Sequence, residues 1–322
     1  MMNFFRRALI FIALLMSTGA AMAQAYPNKI IKFIVPFTPG SATDIVARSV
    51  GEVMSKNMGQ SIIVENKPGA GGTIAAAQVA RSEADGYTVL IHSSAHALNP
   101  ALYPGLGYDT LRDLTGVTAL AAIPNLLVVN PAKGWKTQAD LIAAAKARPG
   151  KFNYASAGVG SGTHLNAEIF LLRSGIDALH VPYKGTPDAM TNVISGTNDW
   201  FFAPLASALP LVRSGRLQAL SVSTKTRSAN LPEVPTSIEA GLPNSDYTLW
   251  VGMIVPAATP TQIVTRLNQE ALKALASPEL RERMAKMGAD PSPMTPEAFN
   301  AFIRSEMEVA AQIVKVANLK AQ

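Results

Sequence analysis

The chain has 322 residues, 48% apolar and 16% charged, with a formal net charge of +6 and no cysteine. That balance excludes a disordered chain, and the missing cysteines exclude disulfides, cysteine–zinc sites, thiol catalysis and a lipid-anchored N-terminus. Lys and Arg are scattered without a run of five, which argues against nucleic acid as a partner, and the length suits two lobes better than one core.

The N-terminus reads as a secretory signal peptide. Arg6 and Arg7 form a basic segment, Ala8 to Met16 a short apolar run, and Ala21-Met-Ala23 a small-residue cleavage site. The apolar run is shorter than the roughly 20 residues a spanning helix needs. Residues 1–23 are therefore set apart from the fold, and their removal leaves a charge of +4 on a chain expected in the periplasm.

From there strands and helices alternate. Ile30 to Val35 predicts a strand, residues 43–57 a helix, Ser61 to Glu65 a strand, Thr73 to Arg81 a helix and Tyr87 to Ile91 a strand. This βαβαβ order implies a parallel sheet with helices on its faces. A second run starts after Pro124, with strands predicted at Leu126 to Asn130, Phe152 to Ala155, Ala178 to Val181, Trp200 to Ala203 and Leu217 to Ser221. The intervening helices are read at Thr137 to Ala147, from the glycine turn to about Arg173, at Pro187 to Ile194 and at Ala208 to Arg213. Thr137 and Asp140 are spaced as a capping box, and Gly175, Gly196 and Gly215 sit where helices should stop. Tyr247 to Val255 predicts a long apolar strand. Three helices follow, opened by Thr259-Pro260, Ser277-Pro278 and Thr295-Pro296, each a cap residue before a proline.

The fold class expected is α/β, in two lobes. Its first lobe takes residues 24–124 and 251–322, its second 125–250, with two hinge crossings near Pro124 and Trp250. Two turns stand out, both running from an apolar strand into a helix. They are Ile34-Val-Pro-Phe-Thr-Pro-Gly-Ser-Ala-Thr-Asp44 and Tyr154-Ala-Ser-Ala-Gly-Val-Gly-Ser-Gly-Thr-His164. A helix start leaves backbone N–H groups unpaired and points the positive end of its dipole outward. Two such turns on separate lobes suggest a cleft that grips an anion from both sides.

Catalytic patterns fail by contrast. Ser161 lacks the glycine two residues before it that a nucleophile elbow needs, no G-K-[ST] follows a glycine loop, and Gly158, Gly160 and Gly162 match a dinucleotide turn only weakly. His92 and His96 are four apart but have no carboxylate ligand pattern beside them, so no metal and no cofactor are expected. His96 reads as a loop residue facing the cleft or as a structural one. His164, in the first helical turn, could face a ligand or pack. Asp44 would repel an anion and is better placed to favour its helix dipole or fix the turn. Ser156, Ser161 and Thr163 offer hydroxyls beside the free N–H groups, or serve as helix caps.

These residues resemble a known family. The segment Lys32-Phe-Ile-Val-Pro-Phe-Thr-Pro-Gly-Ser-Ala-Thr-Asp-Ile-Val-Ala-Arg48 is similar to the opening of the periplasmic receptors of tripartite tricarboxylate transporters, the Bug family. The likeness continues through Val64-Glu-Asn-Lys-Pro-Gly-Ala-Gly-Gly72, Ala84-Asp-Gly-Tyr-Thr88, the second glycine turn, Val181-Pro-Tyr-Lys-Gly185, Leu231-Pro-Glu-Val-Pro-Thr236 and Pro256-Ala-Ala-Thr-Pro260. The resemblance implies a two-lobed periplasmic binding protein of Venus-flytrap type (type II-like), a monomeric, non-enzymatic receptor that holds a small organic acid and passes it to permease subunits in the membrane. That acid would be a di- or tricarboxylate, an amino acid or an aromatic acid. A sensor subunit for a signalling partner is the alternative, and a periplasmic hydrolase a distant third. The contacts it implies are Phe37, Thr38, Gly40, Ser41, Thr43, Ser94, His96, Ser156, Gly160, Ser161, Gly162, Thr163 and His164, with Asp44, Lys184 and Asp199 as further candidates. Two departures stand out: Gly40-Ser41 replaces a usual glycine pair, and Glu308-Val-Ala-Ala311 lacks a tryptophan expected in the last helix.

Overall fold

The computed structural model describes residues 26–317 and residue 319. The expected signal peptide and its cleavage site lie outside the described residues. Among the described residues, no helix is long and apolar enough to cross a membrane.

The first half opens β1 (Ile31–Val35), α1 (Ala42–Met58), β2 (Ile62–Asn66), α2 (Thr73–Ala80) and β3 (Thr88–Ser93). β1 pairs in parallel with both β2 and β3, as the βαβαβ pattern requires. Next come α3 (Ala95–Leu102) and β4 (Leu114–Val129), a strand of 16 residues. The second half contains α4 (Gln138–Ala147), β5 (Phe152–Ser156), α5 (Gly162–Ser174), β6 (Ala178–Pro182), α6 (Thr186–Ile194), β7 (Trp200–Pro204), α7 (Leu205–Arg213) and β8 (Gln218–Val222). β9 (Thr248–Pro256), α8 (Thr261–Ala276), α9 (Pro278–Met287), β10 (Asp290–Pro291) and α10 (Pro296–Val316) complete the order.

β4 ties the two halves together. Up to Pro124 it runs antiparallel to β9, which in turn pairs with β3. From Asn125 onward it pairs instead with β7 and β8. The result is a mixed sheet ordered β2-β1-β3-β9-β4-β7-β5-β6, parallel at both flanks and antiparallel in the middle. Periodicity around Leu126 reveals only the last part of β4. Pro124, which donates no backbone hydrogen bond, reads as a break but sits inside the strand where it changes partners.

Local chemistry explains most element starts. Thr137 and Asp140 form the full capping box. Ser277 and Thr295 accept from Leu280 N and Ala298 N. Thr259 does not cap α8: the cap position falls on Pro260, and the Thr259 hydroxyl is buried without a partner among the described residues. One apolar cluster passes through both halves, from Phe33, Val46 and Val89 to Phe201, Ala203 and Val251. The second half adds an aromatic stack in which Tyr154 lies between Trp200 at 4.8 Å and His180 at 4.9 Å. In the segment that lacks the expected tryptophan, Ala310 is buried against Leu98, Leu165 and Ile169.

Candidate functional site

The C-terminal ends of β1, β3, β5 and β7 meet at the line between the two halves. Open α/β sheets bind ligands at such strand ends, because each end feeds a helix N-terminus. A cavity of about 20 Å³ lies there. Its walls carry Phe37, Ser41, Ala42 and Thr43 from the first turn and Ala157, Ser161, Gly162 and Thr163 from the second. Ser93, Thr186, Pro204 and Leu249 close it.

The two turns face each other, and each leaves two N–H groups uncommitted at its helix start. Ser41 is the N-cap of α1, but its hydroxyl leaves that helix alone and accepts from Thr186 N at 3.2 Å. Its backbone, at φ −69° and ψ 154°, is ordinary extended chain, so the replacement of a family glycine carries no strain here. Among the described residues no acceptor meets the N–H groups of Ala42 and Thr43. Ser161 caps α5 by accepting from His164 N at 3.2 Å, which leaves Gly162 N and Thr163 N unmatched in the same way. No Lys, Arg or His lines the cavity, so any positive potential there comes from helix ends.

The halves are closed on one another. Tyr103 OH donates to Val159 O at 2.8 Å, Ser207 Oγ to Gly40 O at 3.2 Å, and Thr186 N to Ser41 Oγ. Phe37 and Ala95 pack against Ala157 across the cleft. Gly162 needs its missing side chain: a Cβ there would lie 2.5 Å from Ser94 Oγ and 2.6 Å from both Leu249 Cδ1 and Tyr247 OH. A volume of about 20 Å³ holds little more than one water.

Of the expected contacts, Phe37, Ser41, Thr43, Ser161, Gly162 and Thr163 line this cavity. Thr38 is beside it, its hydroxyl buried without a partner among the described residues and pressed against Gly185. Ser94 stands behind Gly162, with its Oγ 2.5 Å from Tyr247 OH. Gly40 adopts φ +82°, a left-handed backbone that favours glycine. Its N–H is consumed by Asp44 Oδ2 at 2.9 Å.

For the remaining candidates the observed partners favour the structural alternatives. Asp44 is a clamp beneath the turn, accepting from Gly40 N, Arg48 Nε and Asn66 Nδ2. Burial alone would raise its carboxyl pKa, but those three donors outweigh burial and lower it. His96 belongs to α3, not to a loop, and packs on His92 with ring centroids 5.6 Å apart. Ser156 binds His180 Nε2 at 2.6 Å and accepts from Gly158 N. His164 stacks on His180 at 4.0 Å, and its Nδ1 accepts from Gly160 N. Gly160, Ser156 and His164 therefore shape the second turn from behind. Lys184 is exposed on a neighbouring groove of about 460 Å³ that shares Phe37 and Ala157 with the cavity. Asp199 lies at the far, N-terminal end of β7, holding Lys133 at 2.7 Å and Asn153 N at 2.9 Å.

Ala42, Ser93, Ala157, Thr186, Pro204 and Leu249 line the cavity without having been expected. Thr186 had a signal, since Gly185-Thr-Pro187 is a third strand-to-helix turn. Leu249 had none: only the pairing of β9 with β4 brings it here.

His92 and His96 set the acid limit of this region. Burial and then the neighbouring His96 push His92 well below its ordinary pKa, and burial pushes His96 down to about 4. His92 Nδ1 also accepts Ser93 N at 2.8 Å, which fixes a neutral ring. The folded pKa values are depressed, so the stability tied to neutral rings is complete above pH 6.5. It falls as the pH drops toward 4, because only the unfolded chain takes up these protons. Urea unfolding between pH 7.5 and 5 should lose up to about 1.4 kcal/mol per pH unit for each ring. Stability independent of pH over that range would mean the rings protonate as easily folded as unfolded.

The sequence profile of the tripartite tricarboxylate transporter family receptors matches residues 46–319. The chain belongs to this family. It is 36% identical over 313 residues to BugT of Bordetella pertussis, covering 97% of this chain and 96% of BugT. Among solved structures it is similar to the periplasmic binding protein BugD, at 31% identity and TM-score 0.89 over 92% of this chain and 100% of BugD. An R. palustris protein solved with adipate is similar at 33% identity and TM-score 0.89, over 92% of this chain and 99% of that one. The family receptor described here thus has the α/β, two-lobed architecture of periplasmic binding proteins.

Proposed function

We propose that this receptor captures a small organic acid by its carboxylate, between the turn at Thr38–Thr43 and the turn at Ser161–Thr163, and delivers it to a tripartite tricarboxylate-type permease. The observation that carries this reading is the opposition of two helix starts, each with two uncommitted N–H groups, across one cavity without a cation in its wall. Backbone N–H groups at helix starts bind carboxylates from either half, so one ligand bridging both favours closure. The adipate in the R. palustris relative is of this chemical class.

The receptor acts by binding and not by turnover. Among the described residues, Ser161 and Thr163 hydroxyls bond each other at 2.9 Å and serve His164 N and Ala157 N, while the His164 ring faces away. No base is placed to activate either oxygen. We take the hinge crossings near Pro124 and near Trp250, a division supported by the change of β4 partners. Titration calorimetry against aliphatic di- and tricarboxylates, amino acids and aromatic acids tests the reading. At least one acid should bind saturably at 1:1, and its methyl ester or amide should not. A panel with no binder, or esters that bind as well as acids, overturns it.

Export to the periplasm completes the proposal. Mass measurement of the exported protein should find Gln24, free or cyclised, at the N-terminus. A mature chain that keeps Arg6 would contradict it.

A further inference from the structure

A second cavity, of about 440 Å³, lies on the hinge side of the molecule, behind the ligand-facing turns. Its size falls within the range of sites for small organic molecules, which are mostly apolar with a few polar groups. Leu165 and Ile169 of α5 form one wall, and Phe302 and Ile313 of α10 another. The floor is Trp250, whose Nε1 donates to Glu306 Oε2 at 3.0 Å. Ser94 and Tyr247, joined at 2.5 Å, separate this cavity from Gly162 and the first site.

The charge inside is one-sided. Two carboxylates line the cavity and no Lys, Arg or His does. Asp246 is partnered by Lys225 at 3.7 Å. Among the described residues Glu306 forms no ion pair, and Trp250 is its single hydrogen-bond partner. Burial raises the Glu306 carboxyl above its ordinary pKa, and the indole N–H only partly offsets this. A carboxylate in an apolar chamber gains most from a guest that brings both a positive head and apolar surface.

We propose that this chamber is a second binding site, for a small amphipathic cation such as an aliphatic primary ammonium, with the head on Glu306 and the chain against Leu165, Ile169, Phe302 and Ile313. It is independent of the acid site in chemistry: one recognises an anion by backbone N–H groups, the other a cation by a side-chain carboxylate.

The test uses the whole mature chain and n-hexylammonium chloride as probe, with 1-hexanol as the neutral control of equal length. Titration calorimetry should show saturable 1:1 binding of the ammonium, and the Trp250 indole N–H signal should shift along the same curve. Glu306→Gln keeps an acceptor for Trp250 Nε1 and should weaken the ammonium at least tenfold while leaving hexanol unchanged. Its melting curve and its affinity for a bound organic acid should stay those of the wild type, which separates this site from the first. Equal ammonium affinity in wild type and Glu306→Gln, hexanol binding as well as the ammonium, or no saturable binding to the wild type would each overturn the proposal.

Discussion

Gly162→Asp should abolish acid binding and leave the folded chain intact. The position is the first residue of α5, and its N–H is one of the four uncommitted donors in the cavity wall. Any Cβ there meets Ser94 Oγ at 2.5 Å and Leu249 Cδ1 and Tyr247 OH at 2.6 Å, so closure is obstructed before charge is considered. An aspartate adds a negative group next to the bound carboxylate, and like charges in a closed site cost several kcal/mol. Together these effects should weaken binding by well over about a hundredfold, or some 2.8 kcal/mol. Gly162→Ala isolates the steric part and should fall between wild type and Gly162→Asp. Circular dichroism and a melting curve check the fold, because an aspartate in the first turn of a helix is otherwise favourable. Wild-type affinity in both variants would remove the second turn from the site.

Ser41→Asp should also eliminate binding, by occupation as well as by repulsion. Ser41 is the N-cap of α1, a position where aspartate is among the preferred residues. Its Oγ already accepts Thr186 N across the cleft. A carboxylate there can take that hydrogen bond and face the uncommitted N–H groups of Ala42 and Thr43, the place proposed for the ligand's own carboxylate. The variant should lose affinity by about a hundredfold or more while its melting temperature holds or rises. Ser41→Ala, which removes one cross-cleft acceptor without adding charge, should lose only about a few-fold, as expected for one neutral hydrogen bond. Unchanged calorimetric titrations of Ser41→Asp would show that the first turn does not touch the acid.

The alternation of strands and helices, the capping box at Thr137 and Asp140, and the two glycine turns were legible because each depends on neighbours in sequence. So was the family, through motifs spread along most of the mature chain. The length of β4 was not legible, since its pairing is set by β9 and β7, more than 70 residues away. α3 was not legible either: it is eight residues long, contains Pro100, and rests on packing of Leu98 and Leu102 more than on its own periodicity. Within the second turn, spacing could not tell which side chains face inward. Ser161 and Thr163 line the cavity, whereas the first turn of α5 carries His164 to the opposite side, onto His180. The roles of Asp44 and Asp199 depended on partners from other elements, Asn66 in one case and Lys133 in the other.

On the proposed function, one acid bridges both turns and holds the halves together. The cavity of the closed structure holds about 20 Å³, so on the proposed function the free receptor opens to load, and the acid-bound form closes around the ligand with a cavity somewhat wider than this one. Small-angle scattering of the mature chain, with and without a saturating acid identified by calorimetry, reads this directly. The free protein should scatter as a more extended particle than the closed structure, and the acid should reduce the radius of gyration toward that of the closed form. An extended free form that a tightly bound acid leaves unchanged, or a free form already as compact as the closed structure, would contradict the two-turn clamp.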